Sequence, residues 1–437
     1  MKIYISFFLF FLAASLMYSQ SDIVNTLGTG GVFNIKDGST NYLTVTQSTG
    51  EVNILKGLRL ELTGNNTRRG VIFKGSDRFV HDFAPTGAPG ENTFIGINSG
   101  NFSMIYSSGN DASYNTGVGA SSLNSLTKGT GNSAFGYWSL NLTTTGSNNT
   151  AVGDGALLYN TTGNENTALG ASALVINDTG FDNTAVGVAS IYANTTGHEN
   201  TAVGKNSLFF NSTGFQNTAI GHHSLQANNG NYNTALGYNA GSSVNTGFNL
   251  TLLGIDANPS SGAASNQITL GNTFVTSLRC NVQTITSLSD ARDKKNIKDL
   301  DLGIDFLMKI KPRQFNWDRR EWYPDNKSDG SKMNEEPTAG FIAQELDEVQ
   351  TSENADWLNL VLKDNPEKLE ATPGNLLPII IKAIQDLKKE NDELKVTNVE
   401  LTSRLNKFEQ MQNMLIAEMD KLKTNSNEIT KVSLGEK

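Results

Sequence analysis

The segment "SLSDARDKKNI", Ser287 to Ile297, places Ser289 five residues before Lys294. A serine hydroxyl is a poor nucleophile until a base takes its proton, and a neutral lysine amine is one base that does so. Such an amine exists at neutral pH only where desolvation or neighbouring cations disfavour the ammonium. Arg292, Lys295 and a desolvating interface between subunits are the candidates for that effect here. All four histidines, His81, His198, His222 and His223, precede Ser289, so a His-based triad within the C-terminal part is excluded. On spacing alone, a solvated charged turn accounts for the same residues. The surrounding elements have to decide.

Ser289 stands on a seam in charge. Residues 1–288 carry 11 Lys/Arg and 14 Asp/Glu, whereas residues 289–437 carry 23 and 29. Such asymmetry marks two structural regimes in a chain of 437 residues, long enough for several domains. The net charge of -9 and the lack of any Lys/Arg run argue against a nucleic-acid partner. Residues 1–20, "MKIYISFFLFFLAASLMYSQ", have a basic start, an apolar run and small or polar residues at the end. That is the plan of a signal peptide, so the protein is expected to be secreted or held at the cell surface, with no stable membrane insertion once the peptide is removed. Cys280 is the sole cysteine, which excludes an internal disulfide; a small buried residue is its expected role. The scattered histidines offer no metal site, and no cofactor is expected.

Residues 21–91 read as β-rich. "NYLTVTQ", "EVNILKGLRLELT" and "GVIFKG" alternate apolar and polar residues between Gly, Asn and Ser turns. Residues 92–258 are an internal repeat, with "NTAVGDGAL", "NTALGASAL", "NTAVGVASI" and "NTAVGKNSL" in succession. Gly119, Gly136, Gly153, Gly170, Gly187, Gly204 and Gly221 follow one another at intervals of 17; Gly237 comes after 16 and Gly254 after 17 more. A large aliphatic lies four residues past most of them, from Leu123 and Leu140 to Leu208 and Leu225. One unit has too few apolar side chains to fold alone, so the units must stack, burying their aliphatics in a column. Glycines suit tight corners with positive φ, and asparagines and threonines can ladder from coil to coil. A parallel β-roll or solenoid of 17-residue repeats follows. Many Asn residues also match the N-x-S/T glycosylation triplet, but recurrence at the coil period favours a structural role.

These stacked NTAVG-type coils resemble the head repeats of trimeric autotransporter adhesins. The resemblance implies a left-handed parallel β-roll in a threefold assembly, with a glycan or other cell-surface ligand as a candidate partner. The longer period, and the lack of an autotransporter anchor after the repeats, are departures from that family.

Residues 259–288 read as a short extended neck and residues 289–375 as a compact α+β domain. From Leu377 a heptad begins, giving a coiled coil over 376–423 and a polar tail over 424–437. Its a positions are Leu377, Ile384, Asn391, Asn398, Leu405, Gln412 and Met419; its d positions are Ile380, Leu387, Leu394, Leu401, Phe408, Leu415 and Leu422. The periodicity leaves two or three strands open. The fold class is therefore a mainly β N-terminal part, then a small α+β domain ending in a long coiled-coil helix.

Ser289-Asp290-Ala291-Arg292-Asp293-Lys294, with Ile297 behind it, matches the S-D-x-R-x-K-x-x-I signature of the endosialidase-type intramolecular chaperone, the self-cleaving C-terminal domain of phage tail spikes and fibres. "LMKIKPRQFNWD" (307–318), "GFIAQEL" (340–346) and "LLPIIIKAIQDLKKENDELK" resemble further motifs of that family, in the same order. The resemblance implies that three such domains assemble a homotrimer through the β-roll and coiled coil. It also implies a single cut between Leu288 and Ser289, with Ser289 as nucleophile and Lys294 as base. Asp290 and Arg292 would position the loop by ion pairing. Within the second motif, packing is the first expectation for Gly340 and its neighbours, and lining of the cleavage site the second, with Gln344 and Glu345 as the polar candidates. The alternatives are the same architecture with a permanent, uncleaved trimerisation cap, and a glycan-processing enzyme. The latter finds no carboxylate pair among the variable-corner acids Asp154, Glu165, Asp178, Asp182 and Glu199.

Overall fold

The computed structural model describes residues 32–37, 40–46, 51–54, 70–281, 285 and 287–433. The expected signal peptide, 1–20, lies outside the described residues. The chain divides into two compact units, Met1–Glu165 and Asn166–Lys437.

The first unit holds an antiparallel sheet of Val32–Asp37, Thr40–Thr46 and Glu51–Ile54. A hairpin of Ile72–Lys74 and Asp77–His81 then pairs antiparallel with Thr93–Ile95. From there the strands run parallel: Thr93–Ile95, Thr116–Val118, Ser133–Phe135 and Thr150–Val152 stack in register. His81 sits at the turnover from antiparallel to parallel pairing, 4 % exposed. Its Nε2–H donates to Ser99 O at 2.8 Å, while Nδ1 accepts from Phe83 N at 3.2 Å. A second ring proton would face the Phe83 N–H, so this geometry holds the neutral form. Burial above all, helped by nearby Arg78 and opposed by the Ser99 carbonyl and Asp82, pushes the His81 pKa down from 6.5 to about 4. As pH falls below 6.5 the unfolded chain takes a proton that the folded one refuses. Stability of this coil start is therefore complete above pH 6.5 and is lost progressively down to about pH 4, by up to about 3 kcal/mol. Thermal melts between pH 7.5 and 4 are expected to show this loss in the wild type and a flatter profile in His81→Gln.

In the second unit Thr167–Leu169, Thr184–Val186, Thr201–Val203, Thr218–Ile220, Thr234–Leu236 and Thr251–Leu253 form the same parallel, in-register stack. The repeats thus build a β-solenoid, one three-residue strand per coil. Alternation along each strand sends the middle residue inward: Ala168, Ala185, Ala202, Ala219 and Ala235 are fully buried. The aliphatics four residues past the glycines, Leu174, Ile191, Leu208 and Leu225, are fully buried too.

Between these lies a ladder of fully buried asparagines. Asn200 Nδ2 donates to Asn183 Oδ1 at 3.0 Å and to Gly214 O at 2.8 Å. Its Oδ1 accepts from the backbone N and the Nδ2 of Asn217, both at 3.1 Å. All four of its hydrogen-bonding valences are filled, which is what lets an amide be buried without cost in unpaired polar groups. A second ladder joins Asn177, Asn194 and Asn211, the first residues of N-x-T triplets, and these are fully buried as well.

The corners are less dependent on glycine than the sequence suggests. Asp182, Glu199 and Gln216 adopt φ of 54–55°, and the buried Leu174, Ile191 and Leu208 adopt 47–49°. Positive φ is unusual for such side chains, Ile above all. Coil-to-coil bonds hold them there: Glu199 N donates to Phe181 O at 3.1 Å and Ile191 N to Ser207 O at 2.9 Å.

The stack also runs past residue 258. Ile268–Leu270 pairs parallel with Thr251–Leu253 inside the segment read from sequence as an extended neck, because "ITLG" keeps the strand-then-glycine pattern without the NTA signature. Beyond it, Asn272 to Asn281 form no helix or strand, and Cys280 is exposed rather than buried because no packed element covers this segment.

The small domain gathers Phe306, Ile310, Ala343, Leu346, Leu360, Leu376 and Ile379 into one core. Helix Ile304–Leu307, the antiparallel pair Arg313–Phe315 and Thr338–Gly340, helix Ala343–Ser352 and the pair Val361–Leu362 and Glu370–Ala371 surround it. Its loop touches the last coil: Asp364 accepts from Gln267 Nε2 at 2.8 Å and Ser260 Oγ at 3.3 Å. A 57-residue helix, Leu377–Ser433, follows, about 85 Å long. Its first turns bury Ile379 and Ala383 against the domain, while Ile384, Leu387, Leu394, Leu401, Leu405 and Phe408 are exposed. Among the described residues no helix is long and apolar enough to cross a membrane.

Candidate functional site

The segment after Leu288 folds into a short turn. Asp290 is extended, at φ -71° and ψ 134°, and its carboxylate accepts from Arg292 N at 2.9 Å. That cap starts a 3-10 turn, Ala291–Asp293, closed by Asp293 N donating to Asp290 O and Lys294 N to Ala291 O, both at 3.2 Å. Lys294 is extended again, so its side chain returns toward the start of the turn. Lys294 Nζ donates to Ser289 Oγ, and to Ser289 O at 3.3 Å. The five-residue spacing is thus what a single capped turn needs to bring amine and hydroxyl together.

The Arg292 guanidinium is fixed on Asp290, with Nη2 at 2.6 Å from Oδ2 and Nε at 3.0 and 3.1 Å from the two oxygens. Hydrogen bonding to Arg292 holds the Asp290 carboxyl below the usual carboxylate range, and Asp290 in turn raises the Arg292 pKa. Each neutralises the other. Arg292 therefore does not serve as a free cation near Lys294, the role its type and position suggested. Lys295 and desolvation are left as the means of favouring a neutral amine, and in the single chain Leu288, Ser289 and Lys294 are all exposed. The carbonyl that Lys294 also contacts belongs to Ser289, one peptide beyond the Leu288 carbonyl.

The second cluster is built by packing. Gly340 pairs with Arg313, and a Cβ on it would meet the Phe315 ring at 3.2 Å. Ala343 and Leu346 enter the core, with Phe341 against it. Gln344 is exposed. Glu345 accepts a two-pronged pair from Arg313, Nε to Oε2 at 2.9 Å and Nη2 to Oε1, which keeps the Glu345 carboxyl below its ordinary range. The motif glutamate thus ties helix Ala343–Ser352 to the strand of "KPRQFNWD". Among the described residues no hydrogen bond or ion pair joins Gly340–Leu346 to Ser289 or Lys294.

Gln350 is a residue that sequence reasoning missed. Buried at 1 % exposure, its Oε1 accepts from Leu360 N at 3.0 Å and its Nε2 donates to Asp347 Oδ1 at 2.8 Å. Its place one helical turn past Leu346, on the same face, was the available signal.

The arrangement defines a β-solenoid protein that carries, behind its last coil, a small mixed domain seated on a long helix. Residues 289–355 match the model of the family Peptidase_S74, the chaperone of endosialidase, and the match begins at Ser289 itself. This chain therefore contains a chaperone-of-endosialidase domain, preceded by stacked coils. No match is found among curated proteins or among solved structures. Solenoid and domain together fit a tail-fibre-like protein with an intramolecular chaperone, a family in which the domain is autoproteolytic.

Proposed function

We propose that this is an exported fibre protein whose C-terminal domain aligns three chains and then removes itself by one cut between Leu288 and Ser289. The observation that carries the reading is the Lys294 Nζ to Ser289 Oγ hydrogen bond at the residue where the family match begins. Assembly of three domains desolvates the pair, and Lys294 as free amine accepts the Ser289 hydroxyl proton. Ser289 Oγ adds to the Leu288 carbonyl carbon, and the Leu288–Ser289 C–N bond breaks as the proton passes to the departing amine. The product is an ester between Leu288 and Ser289 Oγ. Water hydrolyses it to a Leu288 carboxylate and a free Ser289 hydroxyl, releasing residues 289–437. Nucleophile and target are adjacent in one chain, so proximity supplies much of the rate and each chain reacts once.

The exposed dyad favours one second reading, a permanent cap that trimerises without cutting. Intact-mass and native-mass measurement of the full chain tests both. The first reading expects a fragment beginning at Ser289 and a trimeric mass for the remainder; the second expects an uncut trimer; an uncut monomer contradicts both. Within the first reading Asp290 positions the turn. Asp290→Ala is expected to slow cleavage about tenfold without moving the cleavage point, because the carboxylate that caps the turn is lost. N-terminal sequencing of the fragment over a time course checks it.

A further inference from the structure

Each coil strand from Thr167–Leu169 to Thr251–Leu253 buries its middle residue, so its first and third residues face out, and Ile268–Leu270 continues the same register. The first is threonine from Thr167 to Thr251 and isoleucine at Ile268; the third is always aliphatic. Leu169, Val203, Ile220, Leu236, Leu253 and Leu270 are 37–50 % exposed, and strand register stacks them directly above one another, with half-buried Val186 completing the column. No charged side chain stands at either outward position of these seven strands. At about 4.8 Å between strands, the column is roughly 29 Å long. A soluble fold seldom leaves so regular an apolar strip uncovered.

We propose that this column is the face through which the solenoids of three copies of the chain meet, parallel and in register, with one aliphatic from each copy in every layer. The inference deepens the trimer reading above and rests on it. A partner that covers every position must itself repeat at the coil rise, and a parallel copy at zero offset does so along the whole column. A single aliphatic per coil, flanked by the short threonines, suits a close approach to a threefold axis. The same chain exposes a second apolar column, the heptad positions from Ile384 onward, which also calls for parallel copies in register. The half-exposed aromatic column of Phe181, His198 and Phe215 does not compete. Phe181, His198 and Phe215 stack on one another at 4.7 and 4.9 Å, so their ring faces are used within the chain.

Cysteine cross-linking of the full chain in a Cys280→Ser background tests the inference. Val203→Cys places a thiol on the column, and Phe210→Cys, exposed off the strand, is the control. Mild oxidation is expected to link two chains of each trimer through Val203→Cys and leave the third unlinked, with no link in the control. Leu236→Cys gives the same readout should Val203→Cys fold poorly. Mixed assemblies of differently tagged Leu169→Cys and Leu270→Cys chains, the two ends of the column, are expected to form no disulfide between the two variants; antiparallel packing over the column would form one. A trimer by native mass without links at Val203→Cys and Leu236→Cys overturns the column and leaves the trimer standing. A monomer by native mass overturns both.

Discussion

Ser289→Ala is expected to leave the chain uncut, with cleavage slowed at least about a thousandfold. Removing Oγ removes the only atom that the proposed mechanism brings against the Leu288 carbonyl, and no neighbouring hydroxyl replaces it between Asp290 and Ile297. The more discriminating substitution is Lys294→Arg. If Lys294 served only as a positive charge or as a donor to Ser289, arginine would preserve much of the function. As a base it has to shed its proton, which a guanidinium does not do in proteins. Lys294→Arg is therefore expected to be as uncut as Ser289→Ala, and the double variant no worse than either single one, because the two groups act as a unit. Denaturing gels and intact mass read the outcome. Cutting at Leu288 in either single variant would remove the dyad from the mechanism.

Gly204→Ala is expected to cost the solenoid about 3 kcal/mol or more per chain. Gly204 has φ 131°, a backbone conformation that residues with a side chain rarely adopt. A Cβ there would lie 2.6 Å from Gly221 O, 2.7 Å from Gly221 C and 3.1 Å from His222 N, all backbone of the next coil. Neither obstacle yields to a side-chain rotation, so the strained backbone and the overpacking add, each of order 1–3 kcal/mol. Gly155→Ala is the contrast: φ is 61° there and a Cβ meets nothing within 4 Å. It is expected to cost about 1–2 kcal/mol, from the left-handed backbone alone. Thermal or denaturant unfolding of the two variants ranks them, and equal effects would refute the close-approach argument.

The same close approach explains why the fold was readable. A position that tolerates no Cβ has to be glycine in coil after coil, and a buried amide ladder has to be asparagine in coil after coil. The 17-residue period in Gly187, Gly204 and Gly221, with Asn183, Asn200 and Asn217, is therefore the direct imprint of coil-to-coil contact. Wherever the constraint is looser the sequence spoke less clearly. Ile268–Leu270 stacks as a further strand without the NTA signature, since the pairing is made by the backbone and asks only for an outward and an inward pattern. The left-handed Ile191 and Leu208 carry no composition signal because hydrogen bonds to the neighbouring coil, not residue type, hold them there.

At the candidate site the legible part was local and the hidden part was pairing. Ser289 and Lys294 meet because one capped turn spans five residues, which spacing announces. That Arg292 turns to Asp290 and not toward Lys294 depends on which of two nearby partners offers a carboxylate, and composition alone does not rank them. Glu345 finding Arg313 across 32 residues, and Gln350 filling a buried polar gap, depend on tertiary packing.

Central to all of this is the claim that the sparsely charged coils reach their assembled state only when the domain behind them gathers the chains. Native mass and yield of a chain ending at Leu288, beside those of the full-length product, measure that dependence directly. The short chain is expected to remain unassembled or to aggregate, while the full-length product gives a trimer. A short chain that forms the same trimer in the same yield would contradict the claim.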